Sequence, residues 1–152
     1  MSNSVFINGE PFSANACVGA NGFINYLTYA KGYSKASNLL LAHVLHQGCI
    51  DIDSFIYPIC FNMRHSIELR LKGAIDNLKK LAQMKNVSLT FSLAKEHDIS
   101  NTWNFFEEKS KFLDKRFVNI NKKLEKSIID IGKIDSTGQT FRYPYDTKIR
   151  DI

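Results

Sequence analysis

Apolar residues recur at helical spacing through most of this chain, and the longest such pattern lies at its centre. Cys60, Met63, Ile67, Leu71, Ala74, Leu78 and Leu81 form one stripe, which predicts a helix over 54–84. Residues 55–63 are apolar almost all round, so this half of the helix is expected to be buried centrally. Asp53 or Ser54 would cap its start, which puts Pro58 in the first turn, where no intrahelical N–H bond is lost. A helix over 22–47 precedes it, with Phe23, Leu27, Ala30, Ser34, Leu41 and Val44 or Leu45 facing inward. Its middle is small: Ala30, Gly32, Ser34, Ala36 and Ser37. Small residues let a neighbouring helix approach closely, and that packing must offset the roughly 1 kcal/mol that Gly32 costs a helix. Gly48 stands where a left-handed C-terminal cap is expected. The short 48–53 link makes these two helices an antiparallel pair.

Val87, Leu89, Phe91 and Leu93 alternate with Ser88, Thr90 and Ser92. That period of two fits a strand or an extended connection lying on the bundle. A third helix is expected over 99–113, capped by Asp98 or Ser100, with Ile99, Trp103, Phe106 and Leu113 inward. A fourth covers 115–131, with Phe117, Ile120, Leu124, Ile128 and Ile131 inward and Gly132 at its end. Residues 1–21 read as an extended arm or hairpin around the Asn8-Gly9 turn. Residues 133–152 read as a turn, Asp135-Ser136-Thr137-Gly138, followed by an extended aromatic tail. The expected fold is therefore mainly α: a single domain, with a bundle of about four principal helices over 22–132 and short extended N- and C-terminal arms.

Composition supports one folded domain. The chain has 152 residues, of which 44% are hydrophobic and eleven are Phe, enough for a real core. No apolar run approaches the roughly 20 residues that span a bilayer, and the N-terminus lacks the pattern of a secretory signal. Cys17, Cys49 and Cys60 are odd in number with no C-x-x-C pair, which fits reduced thiols in a cytoplasmic protein. Their spacing does not suit a metal site. The net charge is +5. Lys109, Lys111, Lys115, Arg116, Lys122, Lys123, Lys126 and Lys133 crowd one segment against Asp114, Glu125 and Asp130. Such a face can attract phosphate backbones, but the acidic interruptions favour a solvated helix surface.

The polar candidates for chemistry are Arg64, His65, Glu68, His97, Asp98, Arg142 and Tyr143. Arg64 and Glu68 are four apart on a helix and can form an ion pair. Where a helix is enclosed, such charges must be paired. The pair is either structural or a bidentate phosphate holder. His65 and His97 could share acid and base roles in metal-independent RNA cleavage, or join Glu68 around a metal, although His-x-x-Glu alone is a weak metal signal. His97-Asp98 reads equally as a capping pair at a helix start, and His43 and His46 as ordinary helix residues. Arg142 sits between Phe141 and Tyr143, aromatics expected to pin the tail to the bundle. No Gly-rich phosphate loop, Walker lysine, nucleophile elbow or zinc-protease motif occurs, so no cofactor is implied.

Pro58, Phe61-x-x-Arg64-His65-x-x-Glu68-Leu69-x-Leu71-Lys72, His97-Asp98-Ile99, Trp103 and Phe141-Arg142-Tyr143-Pro144 together resemble the HEPN superfamily. These are bacterial helical-bundle proteins of toxin–antitoxin and antiphage systems. The resemblance runs from about residue 22 to 145. It implies a module that binds or cuts RNA, without a metal and, in many members, as a dimer. In the cutting version Arg64 would hold the scissile phosphate, His65 and His97 would handle protons, Glu68 would orient one of them, and Arg142 would add a second phosphate contact. The usual histidine four to six residues beyond the arginine pair is missing, because Leu69, Arg70 and Leu71 fill that window. Non-catalytic members of the superfamily serve as binding modules. Three functions thus stand open: an RNA-binding or RNA-cleaving module, an adaptor for a partner protein in which the same cluster is a buried ion-pair network, and a sensor whose Arg64 and Arg142 grip an anionic nucleotide.

Overall fold

The computed structural model describes residues 25–143. The expected N-terminal hairpin, Phe23, Pro144 and Tyr145 lie outside the described residues. Four helices follow one another: α1 (Tyr26–His46), α2 (Ile52–Met84), α3 (Ile99–Leu113) and α4 (Phe117–Ile134). Among the described residues they pack in chain order, α1 on α2, α2 on α3 and α3 on α4.

Local chemistry sets most of the boundaries. The side chain of Asn25 accepts the Thr28 N–H at 2.9 Å and starts α1. Gly48, at φ 69°, takes the left-handed conformation expected after it. Asp51 rather than Asp53 stands at the α2 N-cap, and it makes no side-chain capping bond. As a result Pro58 falls inside α2 instead of in its first turn, where it removes the N–H that the Ser54 carbonyl would otherwise accept. Asp98 caps α3 through the N–H groups of Ser100 and Asn101. Helix α4 runs through Gly132 to Ile134, beyond the expected end. Gly132 is a close-packing residue instead, because a Cβ there would lie 2.5 Å from the Ser100 hydroxyl.

α1 and α2 are antiparallel, as the Ser37 hydroxyl bond to the Ile59 carbonyl and the packing of Gly73 on Tyr26 require. α3 runs parallel to α2: its start meets Arg64, and its last carbonyl, on Leu113, accepts from Lys85. The chain must therefore return the length of the bundle between α2 and α3, and residues 87–93 do so in extended form without strand pairing. Their period of two has a plain cause. Val87, Leu89, Phe91 and Leu93 pack on the core while Ser88, Thr90 and Ser92 face outward. The core itself joins Leu71, Ile75, Leu78 and Ala82 of α2 to Ile99, Trp103, Phe106 and Leu113 of α3 and Ile128 of α4.

The first half of α2 departs from expectation. Between residues 55 and 63 only Ile59 is buried, and Ile56, Tyr57 and Met63 are exposed. α3 begins at the level of Arg64, so α1 is the helix that packs along this half, with Arg142 of the tail reaching only the Phe61 ring at its end. The inward stripe of α1 is likewise thinner than the sequence suggests: Ala30, Ser37 and Val44 are buried, whereas Leu27, Leu41 and Leu45 are not. Among the described residues nothing lies within 4 Å of a Cβ built on Gly32, so none of them is the close neighbour its small surroundings invite. On α4, Ile120 and Leu124 are also exposed.

Candidate functional site

The site lies at the level where the projecting half of α2 meets the packed half. Arg64, Glu68 and Lys72 recur every four residues on α2 and are all buried, which puts them on one face at successive turns. Lys72 Nζ lies 2.8 Å from Glu68 Oε1, and Arg64 Nη1 bonds Glu68 Oε2. Three buried ionic groups on one helix face need compensation, and the rest of the fold supplies it.

Arg64 is the junction. Its Nε donates to the Asp135 carbonyl at 3.1 Å, and its Nη2 donates to the carbonyls of His97 at 2.8 Å and Ser136 at 2.6 Å. With Glu68 on Nη1, four of its five N–H groups are engaged. It thereby ties α2 to the approach of α3 and the end of α4, where the negative end of the α4 dipole favours a cation. Asp135 adds a carboxylate 3.7 Å from Arg64 Nε. Its other oxygen accepts the N–H groups of Gln139 and Thr140 and folds the tail into a turn. The Ser136 carbonyl also accepts the Ile99 N–H at 2.9 Å. Gly138, at φ 80°, packs close against the guanidinium, where a Cβ would stand 2.9 Å from Nη1.

The histidines flank Glu68 on different sides. His97 Nδ1 is 3.2 Å from Glu68 Oε1, with a side chain 63% exposed. His65 Nδ1 is 3.7 Å from Oε2, farther than a hydrogen bond. The His65 ring is held edge-on to Tyr33 and stacked on Phe61. Arg142 covers the Phe61 ring at 5.3 Å. It therefore reaches the neighbourhood of the cluster through an aromatic ring rather than through Glu68. Tyr143 is 47% exposed, and Asp98 is occupied in capping α3. The structure thus gathers Arg64, His65, Glu68 and His97, sets Arg142 beside them and leaves Asp98 and Tyr143 out. It adds Lys72, Asp135, Ser136 and Gly138, which sequence reasoning did not include. Lys72 had a readable signal, four residues past Glu68; the tail residues carried only a turn motif.

Burial alone would push the Glu68 carboxyl up, but His65, Lys72 and Arg64 together hold it well below the usual carboxylate range. Its folded pKa is thus below its unfolded value of about 4.3. The stabilisation is fully present above that value and drains away as pH falls below it. Wild type should therefore lose more denaturant stability between neutral pH and about pH 3 than Glu68→Gln does. Equal losses in the two proteins would remove Glu68 as the cause. Burial also raises the Cys60 thiol above its ordinary pKa, which leaves it a poor nucleophile.

Among the described residues no group of three or more His, Cys, Asp or Glu side chains could hold a metal ion, and no helix is long and apolar enough to cross a membrane. Half of the basic segment is paired with neighbouring carboxylates, through Lys109–Glu108, Lys111–Glu107, Arg116–Asp114 and Lys133–Asp130. Lys115, Lys122, Lys123 and Lys126 remain exposed. No protein-family model matches this sequence, and neither a curated protein nor a solved structure matches it.

Proposed function

We propose that this chain is a non-catalytic interaction module, an adaptor that binds protein through the projecting hairpin of α1 and α2. One observation carries the reading. From residue 38 to residue 58 Val44 is the only buried side chain, while Leu39, Leu45, Ile50 and Tyr57 are each more than half exposed. Large apolar side chains grouped on one projection mark an interaction surface.

The Arg64 cluster supports the same reading by what it lacks. A phosphate holder needs free donors, yet Arg64 is 2% exposed and gives four N–H groups to the protein itself. The RNA-cleaving and nucleotide-sensing alternatives both ask Arg64 for a contact it has already given away. In this reading the HEPN resemblance is to the non-catalytic members of that superfamily.

The test is incubation of purified protein with a mixed RNA pool in EDTA, beside Arg64→Ala and His97→Ala. No cleavage by any of the three is expected. Cleavage by wild type that His97→Ala abolishes would overturn the adaptor reading and return His97 to a proton-transfer role.

A further inference from the structure

The hairpin accounts for one surface of an adaptor, and an adaptor joins two partners. Helix α4 carries a second surface, along the packed half of the molecule. Residues 109–133 hold eight basic and three acidic side chains, a surplus equal to the +5 of the whole chain. The rest of the protein is neutral on balance, and its net charge is gathered here. The fold also disposes of the acids that interrupt the run. Asp114 is paired with Arg116, and Asp130 with Lys133. At about 100° per residue, Glu125 falls beside the buried Asn121, Ile128 and Gly132 rather than among the lysines. Lys122, Lys123 and Lys126 are exposed and have no ion pair among the described residues. They occupy an arc of about 100° on the side away from the buried residues. Ile120, Leu124 and Ile134 occupy about 80° directly beside that arc, and they are 48%, 44% and 62% exposed. α3, the helix that packs along α4, takes the other flank, where Ser100 and Trp103 meet Ile128 and Gly132. α4 thus presents two parallel stripes, one cationic and one apolar.

We propose that this face docks an acidic amphipathic helix of a partner protein. Its carboxylates would meet Lys122, Lys123 and Lys126, and its aliphatic side chains would cover Ile120, Leu124 and Ile134, as a helix laid along a groove does. Both stripes are then satisfied together: the ammonium groups gain counter-charges, and the apolar side chains leave water. Other anionic surfaces satisfy only one. A phosphate backbone answers the lysines but leaves the apolar stripe wet. A bilayer takes apolar side chains to a depth of about 5–10 Å, whereas Ile120 and Leu124 are more than half covered by their own protein and do not stand clear of it. The proposal stands on α4 alone and does not depend on the hairpin.

The experiment is fluorescence anisotropy of labelled synthetic peptides titrated with the full chain. The probe is a peptide of about 20 residues, long enough to form a helix on its own, with leucines along one stripe and glutamates beside them. It should bind wild type. Lys122→Glu/Lys123→Glu/Lys126→Glu and Ile120→Ser/Leu124→Ser should each weaken it at least about tenfold. All five side chains are exposed, so neither variant should shift the melting temperature appreciably. The same peptide with lysine in place of glutamate should ignore wild type and bind the charge-reversed variant. Failure of the acidic peptide to bind wild type would overturn the proposal. So would equal binding by a version with serine in place of leucine, which would reduce the face to a counter-ion surface. An oligouridylate that binds wild type and the Ile120→Ser/Leu124→Ser variant alike, where the peptide does not bind, would give the face to nucleic acid instead. Co-sedimentation with phosphatidylserine vesicles, again without peptide binding, would give it to lipid.

Discussion

Arg64→Ala should destabilise the fold by about 3–5 kcal/mol, because it strips the partner from a buried carboxylate. Glu68 would keep Lys72 and His97 but lose its guanidinium. The buried carbonyl of Asp135 and the part-buried carbonyl of His97 would lose their Arg64 donors, and an acceptor left bare out of reach of water adds its own penalty. For a chain of this length the loss corresponds to a melting point lower by roughly 6–20 °C. Arg64→Lys should recover little, since one ammonium cannot serve three carbonyls and a carboxylate in the plane of a guanidinium. Guanidinium titration of both variants measures this directly. A loss below about 1 kcal/mol for Arg64→Ala would show that the network is dispensable and free Arg64 for another role.

Gly138→Ala should come second, at about 2–4 kcal/mol. The left-handed backbone alone costs an L-residue about 1–2 kcal/mol. The new methyl would also stand 2.9 Å from Nη1 and 3.1 Å from Cζ of Arg64, so the guanidinium must move off its acceptors. The two substitutions act on the same network and should not add. In the Arg64→Ala background, Gly138→Ala should cost only its backbone share. Full additivity in the double-mutant cycle would show that the contact carries no energy.

Much of the packed half of this fold was legible in the sequence. The limits of α3, its Asp98 cap and its four inward residues emerged as read, because that helix has one apolar stripe and one neighbour on each side. The projecting half was misread for a physical reason. An apolar run such as 55–63 signals that residues need cover, but not that the cover belongs to the same chain. The reading of Ile120 and Leu124 as inward failed the same way, since both sit on a helix packed on α3. At the candidate site, the four-residue spacing of Arg64 and Glu68 revealed their ion pair. The backbone carbonyls that fill the rest of Arg64 could not be read, because every residue has a carbonyl and only the fold chooses which ones converge. Gly132 and Gly138 show the same ambiguity: one looked like a helix end and proved a contact, and the other looked like a turn and proved both.

The reach of Arg64 along the chain also orders events during synthesis. Its carbonyl acceptors on Asp135 and Ser136 lie 71 and 72 residues later in sequence. A nascent chain that has exposed α1 and α2 therefore carries Arg64 and Glu68 paired only with each other and with Lys72, still open to water. The last turn of α4 and the segment after it must leave the ribosome before the cluster can close. The hairpin can form early from local contacts, whereas the packed half waits for its latch. Truncation just before Asp135 should thus trap a chain with its helical hairpin made and its core unlocked.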